Sequence, residues 1–119
     1  MTEASKSAVE DLLPLTPVAF DIVLSIMDGA AHGYAIMRAV EARTGGATSL
    51  HAGTLYRALS RLVGTGLIEE LNEAPDEGSD ERRRYYRVTP LGRRVAAAEA
   101  RRLDRQLGAA RAHGLLRKA

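Results

Sequence analysis

Few side chains of this 119-residue chain could do chemistry, and most of those are cations. His32, His51 and His113 stand isolated and share no metal-ligand spacing. With no cysteine in the chain, a metal site is not expected. No glycine-rich phosphate loop or nucleophile elbow occurs. The acids of Glu73 to Glu81 sit among Pro, Gly and Ser, where nothing can desolvate them to shift their pKa. No general acid, base and nucleophile come together, so an enzyme is not expected and no cofactor is implied. What remains is chemistry toward anions. Thr54 can hydrogen-bond a phosphate, Arg57 can reach a phosphate or a guanine edge, and Arg61 lies up to a turn deeper. Arg82, Arg83 and Arg84 are consecutive; on a strand their side chains alternate faces, so at least one points outward.

The charge distribution supports an anionic partner. From Arg82 to Lys118 twelve Lys or Arg face two acids (Glu99 and Asp104), a net of +10, whereas residues 1–81 carry five bases and thirteen acids, a net of −8. The length allows one domain with one modest core. Hydrophobic residues make up 45% and aromatics only 4%, so the core must be built from Leu, Val, Ile, Met and Ala. No run reaches the roughly 18 apolar residues of a membrane span. The polar, acid-bearing start (Met1 to Asp11) does not resemble a signal peptide. A soluble cytoplasmic protein is the expectation.

The elements that must position these residues follow from periodicity. Residues 1–14 read as a flexible arm. Thr16-Pro17 is a cap-and-proline start for a first helix over about 17–28, with Val18, Ile22 and Ile26 inward. His32-Gly33-Tyr34 opens a second helix to about 44, with Tyr34 (partly core), Met37 and Val40 on one face and Ile36 beside them. Thr48-Ser49-Leu50 is short and β-prone. A third helix spans about 52–65 with Leu55, Leu59 and Leu62 inward. Leu67 to Leu71 and Arg84 to Val88 read as two strands of a hairpin around the acidic loop. Thr89-Pro90 starts a last helix running to about 112. The fold class is therefore mainly α with a small β-hairpin: a winged helix-turn-helix over 15–90, with the third helix as the reader of a DNA groove, followed by a long helix over 91–119.

The segment Gly53-Thr54-Leu55-Tyr56-Arg57-Ala58-Leu59-Ser60-Arg61-Leu62, followed by Gly66-Leu67-Ile68, closely resembles the recognition-helix signature of the PadR family. His32-Gly33-Tyr34 is similar to that family's second-helix opening. Arg84 to Gly92 is similar to its wing return strand and final-helix start. The resemblance covers about residues 15–95. It implies a dimeric transcriptional regulator, usually a repressor, on a palindromic operator. It also implies DNA contact by His32, Gly33, Tyr34, Thr54, Tyr56, Arg57, Arg82 and Arg83. Tyr56 has a second reading, as a brace of the recognition helix against the wing. The wing tip departs from the family in being acidic, so contact is expected from its arginine stem. Family members often respond to small aromatic or drug-like molecules at the dimer interface. This chain has no Trp and one Phe, so a small-molecule effector is carried without a chemical identity.

The last helix is about 33 Å long at ~1.5 Å per residue, longer than the core beneath it. Ala96, Ala100, Leu103, Leu107 and Ala110 form a narrow apolar seam at 4-3-4-3 spacing that calls for a partner helix. Leu12, Leu13 and Leu15 of the arm are candidates to complete it. A homodimer would set two recognition helices about 34 Å apart, one DNA turn. The competing reading is a winged-helix module for protein–protein contact, with the arginines serving solubility.

Overall fold

The computed structural model describes residues 8–71 and 83–117. The elements are α1 (Pro17–Ser25), β1 (Ala31–His32), α2 (Gly33–Arg43), α3 (Ala52–Gly64), β2 (Ile68–Leu71), β3 (Tyr85–Val88) and α4 (Pro90–Ala112). Three of the four helices begin at side-chain caps. Thr16 Oγ1 accepts from the Ala19 N–H at 3.1 Å, His32 Nδ1 from the Ala35 N–H at 3.1 Å, and Thr89 Oγ1 from the Gly92 N–H at 3.0 Å. Each satisfies a donor that the first turn would otherwise leave unpaired.

One core joins all the elements. Ile22, Val23 and Ile26 meet Ile36 and Val40 of α2, Leu55, Leu59 and Leu62 of α3, and Val95 and Ala96 of α4; Leu67, Ile68, Tyr86 and Val88 close it from the sheet. The three inward leucines of α3 are as the periodicity requires. The α2 face differs from expectation: Gly33, Ile36 and Val40 are buried, while Tyr34 is 54% exposed and is not a core residue.

The sheet has three antiparallel strands in the order β1-β3-β2, not the two of a hairpin. Ala31 pairs with Tyr86 and His32 with Tyr85 on one side of β3. On the other side Ile68 pairs with Val88 and Leu71 with Tyr85. The extra strand is two residues long, too short to carry a period of its own. Thr48 to Leu50 forms no strand.

Two further expectations are corrected. From residue 8 on, the supposed arm is packed on its own chain: residues 8–11 are helical, Val9 is buried, and Leu12, Leu13 and Leu15 lie against the core. Leu12 and Leu13 are half-buried within one subunit before any partner arrives. Ala96, assigned to the dimer seam, is also a core residue of its own subunit, because the first turns of α4 rest on β3 and α1.

The docking of α4 is close. A Cβ at Gly92 would stand 2.0 Å from the Leu67 carbonyl oxygen, so no side chain fits there. The Thr89 N–H donates to that same oxygen at 3.1 Å. Deeper along α4, Glu99 is 2% exposed. It is held by a two-pronged bridge from Arg102, Nε to Oε1 at 2.7 Å and Nη2 to Oε2 at 2.9 Å. This bridge, with the Leu15 backbone N–H, keeps the Glu99 carboxyl below its ordinary pKa despite the opposing effect of burial. Beyond Glu99 no described residue of α4 is fully buried, so its distal half projects from the core.

Candidate nucleic-acid interface

At 100° per residue, the direction opposite Leu55, Leu59 and Leu62 on α3 is occupied by Gly53, Arg57, Ser60 and Gly64. Arg57 thus stands at the outer pole among small residues. Nothing lies within 4 Å of a Cβ built on Gly64, and only the Arg57 guanidinium approaches one on Gly53. A helix with such a pole can approach another backbone closely. Its N-terminal residue His51 makes no side-chain cap bond, unlike the caps of α1, α2 and α4. The first-turn N–H groups of α3 are therefore not satisfied by a cap side chain, and they carry the positive end of the helix dipole.

The flanks of α3 differ. Tyr56 leans toward the start of α2. Thr54 and Arg61 lean to the other side, toward the segment before α1. On the Tyr56 side lies a cleft of about 570 Å³ lined by His32, Gly33, Tyr34, Tyr56, Arg83 and Arg84. It therefore joins residues from β1, α2, α3 and the stem of the wing, and no carboxylate among the described residues lines it. Gly33 belongs here for a steric reason: a Cβ on it would meet the Tyr56 hydroxyl at 3.2 Å. Tyr56 is nevertheless 53% exposed. It braces α3 against the α2 start and still presents its ring to solvent.

His32 is the hinge of the cleft. Its Nδ1 accepts the Ala35 N–H at 3.1 Å and so caps α2. Its ring meets Tyr85 edge-on at 5.6 Å between centroids. Arg83 places Nη1 2.7 Å from His32 Nε2, which ties the stem of the wing to the start of α2. Two arginines of the stem pair across the sheet: Arg84 with Glu70 at 3.4 Å and Arg87 with Glu69. Arg83 and Arg84 line the cleft, and Arg87 does not. Arg82 and the acidic loop from Glu73 to Glu81 lie outside the described residues.

One cation was missed by sequence reasoning. Arg38 places its guanidinium 5.8 Å from the centre of the Tyr34 ring. The i, i+4 spacing of an aromatic and an arginine was the available signal. The described residues contain no group of three His, Asp or Glu that could hold a metal ion. No helix among them is long and apolar enough to cross a membrane.

Residues 23–98, more than half of the chain, match the model of the transcriptional regulator PadR-like family. The chain belongs to that family. PadR-like proteins are transcriptional regulators and not enzymes. The chain is 36% identical over 87 residues to an uncharacterized 37.1 kDa protein in transposon TN4556 of Streptomyces fradiae, covering 73% of this chain and 23% of that one. The present chain thus spans about a quarter of that relative's length. Among solved structures, a PadR family transcription regulator from Clostridium difficile R20291 superposes with a TM-score of 0.70 at 22% identity. That match covers 82% of this chain and 98% of that one. Bacillus subtilis PadR in complex with operator DNA superposes with a TM-score of 0.58 at 20% identity, covering 71% of this chain and 47% of that one. These likenesses establish the fold: a PadR-like winged helix with a three-stranded sheet and a long C-terminal helix.

Proposed function

We propose that this PadR-like protein is a sequence-specific DNA-binding repressor that acts as a homodimer on a palindromic operator. The observation that carries this reading is the single face formed by the outer pole of α3 and the His32–Arg83 cleft. Arg57, Arg83 and Arg84 lie there, no carboxylate among the described residues lines the cleft, and small residues surround Arg57 on the helix. The B. subtilis PadR complex with operator DNA supports a DNA partner for a domain of this fold.

In this reading α3 enters the major groove. Arg57 and Thr54 address base edges and phosphates, with Arg61 at the groove edge. His32 and Arg83, held together at 2.7 Å, address the phosphate backbone from the cleft. Gly33 keeps the cleft open, and Tyr34 and Tyr56 flank the backbone. Dimerisation runs along the distal half of α4. There Ala100, Leu103, Leu107 and Ala110 keep their seam, and Leu107, Leu115 and Leu116 are exposed large apolar side chains. Ala96, Leu12 and Leu13 contribute by supporting the base of that helix. In domain terms, residues 15–90 carry the DNA-reading unit and 91–119 the dimerising helix.

The test is an anisotropy titration on the DNA upstream of the protein's own gene. Binding should weaken by about 10³-fold between roughly 50 and 200 mM salt, as expected for six or more phosphate contacts. Absent or salt-independent binding there would overturn the proposal.

A further inference from the structure

The second flank of α3 carries a separate trough. It has a volume of about 540 Å³, within the range of small-molecule sites. One wall is the segment from Leu12 to Ala19; the other is the α3 stripe Thr54, Arg57, Ala58, Arg61, Leu62 and Thr65. That stripe follows i, i+3, i+4, i+7, i+8 and i+11, so the trough runs along the helix for ~16 Å at ~1.5 Å per residue. Its lining is mostly aliphatic, with Thr16, Thr54 and Thr65 among the apolar side chains, and among the described residues it holds no aromatic ring or carboxylate. Two exposed guanidinium groups, Arg57 and Arg61, stand on the wall, and neither pairs with a carboxylate among the described residues.

We infer that this trough is an effector site for an elongated amphipathic anion, an aliphatic chain ending in a carboxylate. The apolar lining takes the chain and the arginines take the head group. The same two arginines belong to the surface that reads DNA, so an occupied trough withdraws them from phosphate and base. Ligand and operator therefore exclude one another. This mutual exclusion rests on the DNA-reading function proposed above; binding of the anion does not.

The probe is dodecanoate, used below its micelle concentration on the full chain. In amide NMR spectra it should shift Leu15, Ala19, Ala58 and Leu62, and in anisotropy it should displace bound operator DNA. Arg61→Ala should weaken dodecanoate about tenfold, as for loss of one charge-assisted hydrogen bond. Ala58→Phe should fill the trough and abolish binding. Arg61 is exposed, so its variant remains informative if Ala58→Phe does not fold. Dodecyltrimethylammonium, with the same chain and the opposite charge, should leave these amides unshifted. The inference fails if dodecanoate leaves the trough amides unmoved, shifts only residues 100–116 of the seam, or binds no better than the cation. If the protein shows no operator binding, the DNA-reading function fails while the NMR arm still decides the site.

Discussion

Two glycines on one helix give opposite expectations from the same substitution. Gly92→Ala drives a methyl into the Leu67 carbonyl and should destabilise the fold by about 3 kcal/mol in urea unfolding. Gly108 has nothing within 4 Å of its Cβ direction and lies in the helix interior. Gly108→Ala should therefore stabilise by about 0.5–1 kcal/mol in the same experiment. Glu99 is the other decisive residue. Its carboxyl is held below its ordinary pKa in the folded state, so its contribution is complete above the unfolded value. That contribution is lost as pH falls through the lower folded value, at pH below about 4.5. Glu99→Gln should cost about 2 kcal/mol at pH 7, less than loss of a fully buried pair, because the Arg102 side chain stays 28% exposed. The variant should also flatten the fall in stability as pH drops below about 4.5, measured by urea melts at successively lower pH.

At the level of elements, α3 is held between two neighbours, and its contacts separate reading from bracing. Arg57→Ala should lower operator affinity by about 1–3 kcal/mol and relax the preference at one base pair. Arg83→Ala should weaken binding to all sequences alike and reduce the salt slope by about 1. Equal effects of both variants on specific and nonspecific DNA would remove the distinction. The α2–α3 joint has its own signature. Gly33→Ala crowds the Tyr56 hydroxyl at 3.2 Å, and Tyr56→Phe removes the crowded atom. The double variant should therefore recover operator affinity lost in Gly33→Ala, a coupling readable in a double-mutant cycle.

The whole molecule depends on how far α4 extends past its own core. The helix has 23 residues, yet its buried positions end at Glu99. A charge placed distally should therefore act on assembly and not on the fold. Leu107→Asp is expected to yield a folded monomer by sedimentation with unchanged circular dichroism, and its operator affinity should fall because one half-site is lost. Unfolding of this variant would instead place Leu107 within a single-subunit core.

The caps Thr16-Pro17 and Thr89-Pro90, the α3 leucines and the end of α4 near residue 112 were legible from residue type and spacing. They rest on local rules: a hydroxyl that meets a first-turn N–H, a proline with no N–H to lose, and a 3.6-residue period. The recognition-helix run and its neighbours likewise pointed to the PadR-like family. Other features depended on contacts between distant segments. β1 is too short to have a pattern and exists because Ala31 and His32 meet Tyr86 and Tyr85. Tyr34 shares apparent periodicity with the core, but Ile36 and Gly33 take the inward positions and turn it outward. Ala96 fits a dimer seam by spacing and is buried at home because α4 docks so closely on Leu67. Only the tertiary structure showed that α3 separates two recesses, with the His32–Arg83 cleft on one flank and the Arg57–Arg61 trough on the other. Spacing along a helix tells which residues share a side, but not what packs against that side.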